Sequence, residues 1–257
     1  NVVISGAELT YTASLYDLVA QVVAIPDGEL EHLKVDFPQE GFPAKYFAMH
    51  SLSWQPAPWL SLGAVQGSLF GSRLSFYSLL PTAFITEPFV GDYDNAFAGI
   101  YATARFPLDL QASLLFHVDD YQLFDPVAGF NPSPFANKVA AQAGLSWTPG
   151  SWPALFTLDY TFLAPYTYTH SAHTPINFLT FTHRGESFGS ALPPNSDRLA
   201  LSLFTAPLPW LEASADLRFV RHGNGSDHGS GTVDGDGSIW DDGYTPGGVV
   251  TFYGEST

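Results

Sequence analysis

Between residues 49 and 220 the chain repeats one unit four times: an alternating segment, a short turn containing proline, a second alternating segment, then a long irregular connection. The units are MHSLSW-QPAP-WLSLGAVQG (49–67), AGIYATAR-FPLD-LQASLLFHVDD (98–120), VAAQAGLSW-TPGS-WPALFTLDYTF (139–162) and RLALSLFT-APLP-WLEASADLRFV (198–220). A weaker pair, GAELTYTA-SLYD-LVAQVVAI, covers 6–25. Alternation with period two marks a strand with two unlike faces. Segments of about nine to eleven residues also have the length that crosses a bilayer at a tilt. The connections at 68–96, 121–137, 163–197 and 221–248 are rich in Gly, Pro, Asn, Asp and Tyr. Connections of about 20 residues are uncommon in compact soluble domains. Short turns on one rim and long loops on the other predict an all-β, antiparallel, up-and-down architecture.

The two faces differ in kind. In 211–219, Leu211, Ala213, Ala215, Leu217 and Phe219 oppose Glu212, Ser214, Asp216 and Arg218. In 153–162, Ala154, Phe156, Leu158, Tyr160 and Phe162 oppose Leu155, Thr157, Asp159 and Thr161. In 111–119, Ala112, Leu114, Phe116 and Val118 oppose Gln111, Ser113, Leu115, His117 and Asp119, and in 198–204 Leu199, Leu201 and Leu203 oppose Arg198, Ala200 and Ser202. A soluble sheet turns such an apolar face inward; a membrane barrel turns it to lipid and lines its lumen with the charges.

Composition weighs on this choice. Only 13% of residues are Asp, Glu, Lys or Arg, roughly half the usual share, whereas a soluble surface needs charge. A Lys or Arg facing lipid at mid-depth costs about 2–4 kcal/mol, so segregated charge is what a barrel requires. Trp54, Trp59, Trp147, Trp152 and Trp210 all flank the short turns, the level at which an interfacial girdle forms. The expectation is therefore an antiparallel transmembrane β-barrel of the bacterial outer membrane, one domain over 1–257, with lipid as a partner. Its lumen would be lined by His117, Asp119, Asp159, Glu212, Asp216 and Arg218. No run of about 18 apolar residues offers a transmembrane helix. With 25 acidic residues against 9 Lys and Arg, clustered cations for nucleic acid are lacking. The chain has no cysteine, hence no disulfide framework or thiolate metal site.

Three segments carry a likeness: HSLSWQPAPWLSLGAVQGSLFG (50–71), GDYDNAFAGIYATARFPLDLQASLLFHVDD (91–120) and YTFLAPYTYTHSAHTPINFLTFTHRGESFGSALPPNSDRLALSL (160–203). They resemble the capsule assembly protein Wzi family of outer-membrane β-barrels, in patches over about residues 45–242. The PWL turn, the Asp-Asn at 94–95, the Tyr-Thr-His, Thr-His-x-Gly and Pro-Asn-Ser-Asp series at 168–197 and GDGSIWDDG (235–243) carry the resemblance. It implies a non-enzymatic barrel that holds or organises surface polysaccharide, without a cofactor. Ser51 departs from it, standing where a basic residue is expected. The opening NVVISGAELTYTAS and the lack of a strand ending in an aromatic after Tyr253 suggest a barrel truncated at both ends, with about ten to twelve strands present.

Loop 163–197 is the candidate carbohydrate-binding or plug loop, through Tyr166, Tyr168, His170, His183, Arg184, Glu186, Asn195 and Asp197, with Phe178, Phe181 and Phe188. Planar rings and amide or hydroxyl partners are the groups that hold sugars, yet a loop this apolar is equally expected to fold into the barrel. His170, His173 and His183 lack the spacing and ligands of a zinc site. The DGDGS run has Ile239 and Thr245 at the Gly and Glu positions of a calcium loop, so a solvated loop is the better reading. Glu212 and Asp216 lie about 13 Å apart along a strand, too far for either glycosidase geometry. Asp119 and Asp120 point to opposite faces. Competing readings are a diffusion porin and a soluble β-sandwich lectin or glycosidase.

Overall fold

The structure, a computed structural model, describes residues 2–4, 7–19, 21–22, 44–71, 95–121, 124–125, 129–130, 137–170, 176–177, 179–183, 186–223, 226–227 and 233–234. One antiparallel sheet of ten strands dominates it. The strands are β1 (Val2–Ile4), β2 (Ala7–Val19), β3 (Ala44–Ala57), β4 (Leu60–Gly71) and β5 (Asn95–Phe106). They continue with β6 (Leu110–Tyr121), β7 (Asn137–Trp147), β8 (Ala154–Leu163), β9 (Ser196–Leu208) and β10 (Leu211–His222). Each pairs with its neighbours in chain order, so the sheet is an uninterrupted meander, with β1 and β10 as its edges among the described residues.

All four strong hairpins form, with turns at 58–59, 107–109, 148–153 and 209–210. The weaker pair at 6–25 does not: Ala7–Val19 is one continuous strand whose register runs from Glu8↔Gln55 to Val19↔Ala44. Its supposed turn, SLYD, has neither Gly nor Pro, and Tyr16 instead pairs with Phe47. The hairpin turns are stitched into one rim. Trp59 O accepts from Arg105 N at 2.7 Å, Asp109 O from Thr148 N at 3.2 Å and Pro153 O from Ala206 N at 3.0 Å.

The register sorts side chains into rows. On one face Leu62, Ala102, Leu114, Ala143, Tyr160, Leu199 and Phe219 follow one another from β4 to β10. The next row runs Leu60, Ala104, Ala112, Leu145, Leu158, Leu201, Leu217, and the one after it Phe106, Leu110, Trp147, Phe156, Leu203, Ala215. None of these positions is charged, and Leu114, Leu145, Leu158, Leu201, Leu217 and Phe219 are exposed. The opposite face alternates with them: Ser61, Thr103, Ser113, Gly144, Asp159, Ala200, Arg218 in one row, and Arg105, Gln111, Ser146, Thr157, Ser202, Asp216 in another. The face pattern read from the sequence is thus the face pattern of the sheet.

A buried apolar cluster lies on the polar face, at the end away from the short turns. Phe47, Leu69, Ala140 and Leu163 from the strands meet Tyr168, Phe181 and Leu192 from the connection between β8 and β9. Phe47 and Phe97 stack with centroids 6.0 Å apart. Gly67, on the strand between them, makes this possible, since a Cβ there would fall 2.4 Å from the Phe97 ring and 2.6 Å from that of Phe47. Gly67→Val is expected to destabilise the fold by about 1–3 kcal/mol through forced ring displacement. Gly150→Ala, with its nearest atom at 3.7 Å, should be near neutral; equal denaturation midpoints for the two variants would contradict this packing.

Candidate functional site: the loop seated on the polar face

The connection from Ala164 to Asn195 folds back over the sheet. It begins as a compact coil in which Thr167 N donates to Ala164 O at 3.3 Å and Thr169 N to Tyr166 O at 2.9 Å. Tyr166 and Tyr168 take left-handed backbone angles, φ 63° and 72°, a conformation that costs a bulky residue about 1–3 kcal/mol and persists only when its surroundings over-determine it. Here they do: residues 163–169 are all buried. The base of the loop is closed by Asn195 N donating to Ala164 O at 3.2 Å and Gly223 N donating to Asn195 O at 2.9 Å. A two-residue ladder, Ile176–Asn177 with Gln21–Val22, ties it to the chain beyond β2.

Beyond its two-residue ladders this segment lies on the sheet without strand partners, and its buried carbonyls need donors. Three strands supply donor side chains for this purpose, and a fourth supplies an acceptor. Lys45 Nζ of β3 donates to Thr180 O and, at 3.1 Å, to Thr182 O. Asn95 Nδ2 of β5 donates to Leu179 O at 2.8 Å, and Lys138 Nζ of β7 to Thr169 O at 2.9 Å. From β6, Asp119 Oδ2 accepts from Tyr168 N at 2.7 Å. Asp119 is placed by a bulge: the register pairs Val118 with Val139 and Asp120 with Lys138, leaving Asp119 outside the ladder. A bulge of this kind re-aims a side chain. Two of the three lysines in the chain are therefore buried under one loop.

Aromatic rings complete the seat. Phe188 meets Phe47 edge-on at 4.9 Å, Phe181 lies 5.7 Å from Phe97, and the Tyr168 ring is 5.2 Å from His117. Burial, and secondarily the Asp119 carboxylate, push the Tyr168 phenol above its ordinary pKa, so it stays a neutral phenol.

The residues singled out in the sequence separate into groups. Tyr166, Tyr168, Asn195 and Asp197 are buried; they build the docked loop and do not face solvent. His170 and His183 are half-buried. Glu186 pairs with His183 in a two-residue ladder, and Arg184, His173 and Phe178 lie outside the described residues. Asp197 falls on the apolar-face parity, between Phe162 and Arg221. There it bonds the Arg221 guanidinium and accepts from the Tyr160 hydroxyl at 3.0 Å, so an ion pair marks the limit of the apolar rows.

His117 and Asp119 lie beneath the loop, both buried. Asp159 sits over Gly144, whose Cβ would meet its carboxylate at 2.8 Å, and Asp216 accepts from Ser202 Oγ at 2.6 Å. These, with exposed Arg218 and Glu212, share the polar-face parity toward the turns. The five turn-flanking tryptophans are all exposed. Trp147 Nε1 also donates to Leu108 O of the neighbouring turn at 3.1 Å. Most of loop 221–248 is outside the described residues. Ser196 Oγ lies 2.8 Å from His222 Nδ1, but Ser196 is fully buried and the pair serves the base of the loop.

Lys45 and Lys138 are not singled out in the sequence reading, and Asn95 is named there only within the Asp-Asn at 94–95. The available signal was a lysine at an inward-parity strand position in a chain with so few lysines. Comparison with protein-family models, with curated proteins and with solved structures gives no match for this chain. Lys45→Met keeps the volume but removes the donor to two buried carbonyls, each such loss costing about 1–3 kcal/mol. Tryptic cleavage of the folded protein at Arg184 should accelerate about tenfold or more, the factor that corresponds to about 1.4 kcal/mol. An unchanged cleavage rate would show that the loop is held by other contacts.

Proposed function

We propose that the chain forms a bacterial outer-membrane β-barrel, plugged by its 164–195 loop, that anchors or organises surface polysaccharide as a non-catalytic scaffold. The observation that carries this reading is the exposed apolar face. Three consecutive rows without a charge cross the sheet, with Leu217 69% and Phe219 65% exposed, while Asp159, Asp216, Arg218 and a docked loop occupy the other face. A soluble monomer rarely leaves an apolar surface larger than a few hundred Å² open to water; lipid is its natural cover. Ten residues of strand rise about 33 Å, or about 25 Å in height at a tilt of ~40°, the band such barrels present to the membrane. The exposed tryptophans on the turn rim fit a headgroup girdle.

The polysaccharide role is supported by the sequence resemblance and by the loop. With Tyr166, Tyr168, Asn195 and Asp197 committed to packing, sugar contact passes to the half-buried His170 and His183, with Arg184 and Glu186 close to His183 in the sequence. A seated loop also argues against free diffusion. The channel reading keeps one observation in its favour: toward the turns the polar face carries Asp159, Asp216 and Arg218, as a water-filled lumen would.

Planar-bilayer conductance separates the two. The intact protein, recovered from an outer-membrane fraction as a heat-modifiable band, is expected to give no open channels, and deletion of 165–194 to open them. In cells, alanine at His170, His183, Arg184 and Glu186 should release surface polysaccharide without altering the band. Open channels from the intact protein would favour the porin, and monodisperse recovery without detergent would end the membrane reading.

A further inference from the structure

Under the docked loop the structure leaves a cavity of about 380 Å³, within the size range of small-molecule sites. Its upper wall is aromatic: Phe47, Phe97, Tyr168, Phe181 and Phe188. Besides Met49, Gly189 and His117, the rest of the wall is Ser51, Val65, Tyr101 and Leu115, all half-buried, which opens the cavity along the polar face toward the turns. Glycines shape it. Gly67 admits the rings of Phe47 and Phe97, and at Gly99 a Cβ would fall 2.7 Å from that of His117.

One polar group in this wall has its capacity unmet. His117 lines the cavity and is only 8% exposed, and its Nε2 is buried without a hydrogen-bond partner among the described residues. A buried polar atom left unmatched is costly, and a ligand that supplies the missing partner recovers that cost. We propose that the cavity binds a small, planar, uncharged aromatic molecule carrying one hydroxyl group, a compound of the phenol class. Its ring lies among the phenylalanines, and its hydroxyl meets His117 Nε2 once a rotation of the imidazole turns that nitrogen, which is closed off as it stands, toward the cavity. A sugar is a poor occupant, because a ring of hydroxyls would face a wall that is almost wholly apolar. The site is independent of the polysaccharide reading: it uses the loop residues Tyr168, Phe181 and Phe188, whereas sugar contact is assigned to His170, His183, Arg184 and Glu186.

The test is equilibrium binding to the full chain in lipid nanodiscs, with empty nanodiscs subtracted, using 2-naphthol, naphthalene and glucose as probes. We expect 2-naphthol to saturate a single site and naphthalene to bind about tenfold more weakly, a factor equivalent to about 1.4 kcal/mol. His117→Phe should erase the difference between the two. Ser51→Trp, which fills the open end, should abolish saturable binding, and Val65→Phe gives the same readout if Ser51→Trp fails to fold. Absence of saturable binding, binding unaffected by both wall variants, equal affinity for the two naphthalenes in the unaltered chain, or tighter binding of glucose would each overturn the proposal.

Discussion

A stretch of backbone laid across a sheet faces an electrostatic demand before any packing question arises. Outside two short ladders it has no neighbouring strand to satisfy its carbonyls, and burying them unpaired costs about 1–3 kcal/mol each. In this chain the demand is met from below by Lys45, Asn95 and Lys138, with Asp119 receiving the Tyr168 amide. Burying an ammonium is itself costly, which explains why these side chains end on backbone carbonyls and not in empty space. The left-handed Tyr166 and Tyr168, the bulge at Asp119 and the aromatic cluster around Phe181 all follow from seating the loop at this place.

The two faces of the sheet then take unlike work. Where the loop sits, the polar-parity face is a packed interior with a cavity at its lower edge. Toward the turns the same face holds Asp159, Asp216 and Arg218. The other face, from Leu62 across to Phe219, carries side chains with no charge for three rows and an Asp197–Arg221 ion pair at its upper limit. In the proposed membrane setting, lipid covers that face and the ion pair marks where lipid gives way to water. The arrangement inverts a soluble β-sandwich, whose apolar face would be inside.

Much of this was legible in the sequence because period two is a rigid constraint. Once the proline-containing turns at 58, 107, 149 and 209 fix the ends of the hairpins, alternation decides which of Leu158 and Asp159, or Leu217 and Arg218, shares a face with which. The failure at 6–25 has the same cause, since alternation alone does not say where a strand stops, and SLYD carries no residue that forces a turn. The seat of the loop was hidden for a different reason. Lys45 and Thr180 are 135 residues apart, and nothing local in AKYFAMH announces that its lysine will meet a distant carbonyl. Tyr166, Tyr168, Asn195 and Asp197 were recognisable as special, but composition could not distinguish a residue that holds a sugar from one that holds the loop. Burial distinguishes them.

The central claim is that the apolar parity of the strands faces lipid and the polar parity faces the interior. Nitroxide labels on single cysteines, introduced into a chain that has none of its own, read this directly through collision with oxygen, which concentrates in lipid, and with a water-soluble nickel chelate. Along β8 and β9 of the protein in bilayers, labels at Leu158 and Leu201 should be relaxed mainly by oxygen, and labels at Asp159 and Ser202 mainly by nickel, alternating residue by residue. The reverse pattern, or nickel access at both parities, would contradict the account.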